Sequence, residues 1–142
     1  MLWLWVRCLG GVSAVAFFWA CPVARAVVEQ LEVTLGVAVP RAALWLALPP
    51  SGVQQCVWDV VVLAALSAME EGRRLLRARV RESGSAGVAS GLADVVALSA
   101  VSWFWGQLRG FACLGVPRRG WAGVGPFHPF LRFVGGRLSV CR

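Results

Sequence analysis

The apolar positions gather into two long runs, residues 53–69 and 92–108, each of 17 residues. Between them lie the densest block of charge in the chain, residues 70–82, and a Ser83-Gly84-Ser85-Ala86-Gly87 linker. Both runs are apolar around most of a helical wheel, and such helices bury themselves in protein or in lipid. The pattern predicts an all-α chain: short apolar helices joined by Gly/Pro breaks. It also predicts that the first helix continues through the charged block, followed after the linker by a second, giving a helical hairpin over 53–108 around the basic knot 70–82.

Upstream, residues 27–52 form a short segment divided at Pro40. Val28, Leu31 and Leu35 have helical spacing with Glu29 and Glu32 beside them, which predicts an amphipathic helix. Val33, Leu35, Val37 and Val39 alternate as a strand would, so the pattern carries a competing reading. Pro40 should end or kink the first helix and can open a second through 42–48. Pro49-Pro50-Ser51-Gly52 is a break.

Residues 1–26 have the layout of a signal peptide or signal anchor. Arg7 precedes 17 uncharged residues, Pro22 interrupts the run, and Ala24-Arg25-Ala26 gives the small-x-small pattern of a cleavage site. Residues 109–142 interleave arginine with Trp121, Phe127, Phe130 and Phe133 among prolines and glycines, which reads as an irregular tail.

Composition sharpens the environment. Hydrophobic residues make up 58% and charged residues 15%, against roughly 25% charged in an ordinary soluble domain. Two environments fit this: a membrane protein entering by the secretory pathway, or a soluble helical bundle with a greasy surface. The expectation drawn here is membrane localisation, with the two runs as transmembrane helices. Each run would span about 25 Å, just short of a hydrocarbon core of about 30 Å, and Asp59 and Asp94 each weigh against insertion. A single span at 53–69 is the competing topology.

The net charge of +7 comes from 14 arginines and no lysine. Isoleucine, asparagine and tyrosine are also missing, all residues of A- and T-rich codons. The composition therefore also fits a translated, skewed DNA segment with no selected function. On a helix Arg73, Arg74, Arg77 and Arg81 fall within an arc of about 100°, which makes them candidate contacts for lipid headgroups. The bland reading is a solvated face with Glu–Arg pairs such as Glu70 with Arg74.

Catalytic chemistry finds no foothold. His128 is the one histidine, and no nucleophile motif accompanies it. Cys8, Cys21, Cys56, Cys113 and Cys141 form no C-x-x-C, so a zinc site lacks ligands. No glycine-rich stretch matches a P-loop or dinucleotide fingerprint. The sequence thus predicts no enzyme, no cofactor, no metal and no small-molecule substrate. The expected partners are membrane lipid and membrane helices. The alternative is a cationic surface binder of anionic lipid or nucleic acid; the tail contains no recognisable nucleic-acid module, which argues against the latter.

Overall fold

A computed structural model describes residues 21–83, 89–113, 130–134 and 137–140. The elements are α1 (Pro22–Leu35), α2 (Arg41–Trp45), α3 (Gln55–Ser83), α4 (Ala89–Cys113), β1 (Leu131–Val134) and β2 (Arg137–Val140). The described chain is helical apart from the closing β-hairpin.

Pro22 occupies the first turn of α1, where a missing N–H costs nothing. It starts a helix here, where the sequence reading had it interrupting one. Val23, Ala24, Val27 and Leu31 fall on one face and are buried. The helix ends at Gly36, not at Pro40. Gly36 takes φ +70°, and its N–H donates to the Glu32 carbonyl at 2.8 Å, a left-handed cap that a side chain at Cβ would penalise. Glu32 then reaches forward, its Oε1 accepting from the Val39 N–H at 2.9 Å. Pro40 precedes the single turn and a half of α2, and the strand reading of 33–39 is not realised.

As expected, α3 runs unbroken from the apolar run into the charged block, 29 residues in all. Only five residues separate it from the 25-residue α4, against which it packs. A connection that short makes the two helices antiparallel. Gly72 marks where they cross, and α1 enters at the same point. A Cβ on Gly72 would lie 2.5 Å from Val23 Cγ1 and 3.1 Å from Ala100 Cβ. Three helices thus touch through one missing side chain. Gly91, Gly106 and Gly110 in α4 have nothing within 4 Å of such a Cβ.

The core is formed by the inward faces of α1, α3 and α4, with Trp58 reaching across to α2. Trp58 is fully buried, and its indole N–H donates to the Ala43 carbonyl at 2.8 Å. Phe104 and Trp105 pack edge-on with centroids 5.1 Å apart, and Phe130 meets Phe104 edge-on at 6.3 Å and lies tilted against Trp105 at 6.2 Å. The aromatic triplet Trp103-Phe104-Trp105 is therefore mostly core: only Trp103 faces outward.

Of the tail expected to be irregular, residues 114–129 lie outside the described residues, and the described end is a pair of strands. β1 and β2 pair antiparallel, Leu131 opposite Val140 and Val134 opposite Arg137, and β2 lies near α4. Gly135-Gly136 between them is a hairpin signal in the sequence.

The transmembrane hairpin is overturned, and with it the membrane localisation that rested on it. Among the described residues no helix is long and apolar enough to cross a membrane. In α3 the helix begins at Gln55 and meets Glu70-Glu71 after the 14 residues 56–69, a rise of about 21 Å. Asp59 sits exposed within that stretch. In α4, Asp94 near the start and Gly106, Gln107 and Arg109 near the end leave no clean span. The signal-peptide reading of residues 1–26 lies mostly outside the described residues, as do His128, Cys8 and Cys141.

Candidate functional site

The four arginines assigned to lipid headgroups do not share one environment. Arg73 is buried, 7% exposed, on the side of α3 that faces α1. Burial pulls its pKa below the usual arginine value, offset in part by the electrostatic influence of Cys21 and of the Glu70 carboxylate. It stays charged at neutral pH because a guanidinium starts so high. Arg74 is exposed and donates through Nε and Nη2 to both carboxylate oxygens of Glu71. That hydrogen bonding holds Glu71 below the usual carboxylate range and raises Arg74.

Arg77 is half-buried and donates to Glu70 Oε1 at 3.1 Å and to the Arg73 carbonyl at 3.3 Å. The pairing differs from the sequence expectation: Glu70 serves Arg73 and Arg77, whereas Arg74 takes Glu71. Arg81 is exposed in the last turn of α3, beside exposed Arg79 and Glu82. The block is thus a largely compensated surface in which one arginine is structural. Asp59 is also accounted for locally, accepting from the Gln55 side chain at 2.7 Å.

Between α1 and α2 lies an open cleft of about 280 Å³, lined by Arg25, Val28, Glu29, Glu32, Val39, Arg41 and Leu44. Two arginines and two glutamates oppose each other there. Glu32 is already engaged with the Val39 backbone. Among the described residues no three His, Cys, Asp or Glu side chains approach closely enough to hold a metal ion. Neither Cys21 nor Cys56 is in a disulfide.

The outer face of α4 is different in kind. Val96, Ala97, Ala100, Phe104, Trp105 and Leu108 point inward and are buried. Turning about a half-circle round the helix, Asp94, Val95, Leu98, Ser99, Ser102, Trp103, Gly106 and Arg109 are exposed. Leu98 is 73% exposed, Val95 62% and Trp103 44%. Between Leu98 and Trp103 lies a shallow, open depression over Ser99, Ser102 and Gly106.

Ser99 Oγ donates to the Val95 carbonyl within the helix, at 3.2 Å, so the serine adds little polarity to that floor. Single exposed hydrophobics are ordinary, but here three large ones stand on one helix. Sequence reasoning saw α4 as apolar on most sides and assigned the excess to lipid. It had no means of telling which face the rest of the chain would cover.

No protein-family model, no curated protein and no solved structure matches the chain.

Proposed function

We propose that this chain is a binding protein that acts by protein–protein contact through the outer face of α4. The observation that carries the reading is the exposure of Val95, Leu98 and Trp103 on a helix whose opposite face is buried in the core. Exposing that much apolar side chain costs solubility, and covering it with a partner recovers about 25 cal/mol per Å² of apolar surface. A cationic binder of lipid or nucleic acid has weaker support. Three of the five arginines in the block are paired with Glu70 or Glu71, and one of those is buried.

Photo-cross-linking tests the reading. A benzophenone amino acid at position 98 or 103 should give adducts of discrete mass with another polypeptide in cells expressing the full chain. The same probe at position 59, on the exposed side of α3, should not. Equal, diffuse labelling from all three positions would reject α4 as the contact surface.

A further inference from the structure

The cleavage-like motif Ala24-Arg25-Ala26 lies inside α1, and a cut after Ala26 would remove residues that are packed in the core. Cys21, Val23 and Ala24 are fully buried. Val23 is the side chain that occupies the space left by the missing Cβ of Gly72, where α1, α3 and α4 meet. Cys21 opens the hydrogen bonding of the helix, its carbonyl accepting from the Arg25 N–H at 3.0 Å. It also lies near Arg73, whose buried cation its electrostatic influence favours. We infer that the folded protein is the chain left uncut at this motif: residues 21–26 lock α1 onto the α3–α4 pair, and a chain processed after Ala26 cannot form this fold.

Three consequences of such a cut point the same way. It takes the first turn from α1, and the stub 27–35 is shorter than the roughly 12–15 residues below which an isolated helix is marginal. The stub would therefore hold only by its packing, and packing is what the cut removes. With Val23 gone, Gly72 faces an empty seam in the core, and a cavity of that kind adds its own cost to the lost burial. The new terminus is placed worst of all. Val27 is fully buried, so the cut would set a cationic α-amino group inside the core, where an unpaired charge is strongly disfavoured. The same cation would stand at a helix N-terminus, the end at which the dipole repels positive charge. A cut upstream of Cys21 does none of this.

Two measurements on the full-length chain test this. In the first, the chain is expressed in a secretory host, compact species are separated by size-exclusion chromatography, and their N-termini are read by intact mass. Every compact, helical species should retain residues 21–26, and chains cut after Ala26 should appear only among aggregated or degraded material. In the second, Val23→Gln is compared with Val33→Gln by urea denaturation. Both valines belong to α1, but Val23 is fully buried and Val33 is 80% exposed. Val23→Gln should lower the folding equilibrium constant about thirtyfold or more, since it forces a larger, polar side chain into the seam at Gly72. Val33→Gln should change it by less than about threefold.

A compact species that begins at Val27 and keeps the parent's helicity overturns the inference. So does a Val23→Gln variant as stable as Val33→Gln, which would place the first turn of α1 outside the cooperative fold.

Discussion

Replacing Trp58 with alanine should remove about 3–5 kcal/mol of folding stability, a large share of the roughly 5–15 kcal/mol that a domain of this kind possesses. The indole is fully buried and ties two elements together. Its ring fills the space between α2 and the first turns of α3, and its N–H satisfies the Ala43 carbonyl at 2.8 Å. Alanine would lose the ring's burial, leave a cavity that the flanking Val57 and Val61 can only partly close, and orphan that carbonyl. Trp58→Phe separates these contributions. It keeps most of the ring and loses the hydrogen bond, so it should cost about 1–3 kcal/mol. Urea denaturation of both variants provides the check. If Trp58→Ala unfolds at the parent's midpoint, α2 is not anchored as described.

Gly72→Val should be nearly as damaging, at about 3 kcal/mol. Glycine in the middle of a 29-residue helix would ordinarily be a liability of about 1 kcal/mol relative to alanine. Here the missing side chain is what lets α1 and α4 approach α3 at one level. A Cβ would sit 2.5 Å from Val23 Cγ1, and Val23 is fully buried, so it has no free space into which to turn. The Ala100 Cβ at 3.1 Å belongs to a packed helix and yields only if α4 moves.

Gly72→Ala is the diagnostic variant. Its gain in helix propensity opposes an overpacking cost of about 1–3 kcal/mol, and the balance should be a net loss. Val23→Ala deletes the clashing methyl, so the double variant should be more stable than the two single losses predict. Strict additivity in that cycle would show that the three helices do not meet at Gly72.

The helices were legible because their signals are local. Apolar runs of 17 residues, the charged continuation and the Ser/Gly linker announce α3, α4 and the break between them. The spacing of Val28, Leu31 and Leu35 announced α1, although its start at Pro22 was masked by the resemblance of that region to a cleavage site. The Gly36 stop was missed because Pro40 is the louder punctuation, yet a left-handed cap ends a helix before a proline can.

What could not be read was the partner of each face. A run apolar all round is equally suited to lipid and to the interior of a bundle, and composition tilted the reading toward lipid. The deciding facts are tertiary: Gly72 admits α1, Phe130 returns from the tail to cover Phe104 and Trp105, and Arg73 turns inward while Arg74 turns out. Residues one position apart on a helix point about 100° apart. An arc of arginines therefore says little about function until one knows which edge of the arc is buried. The α4 face was hidden for the same reason, since Leu98 and Ala97 are both apolar in sequence, yet one is exposed and the other buried.

The central claim is that α4 has one face committed to the fold and one kept for contact. Its most direct test is the unfolding free energy of Leu98→Glu, measured in urea at protein concentrations too low for association to add stability. The side chain is mostly exposed, so the variant should unfold within about 0.5 kcal/mol of the parent. A loss of about 3 kcal/mol or more, the cost of forcing a charge into a packed interior, would place Leu98 inside the folded chain and contradict the account.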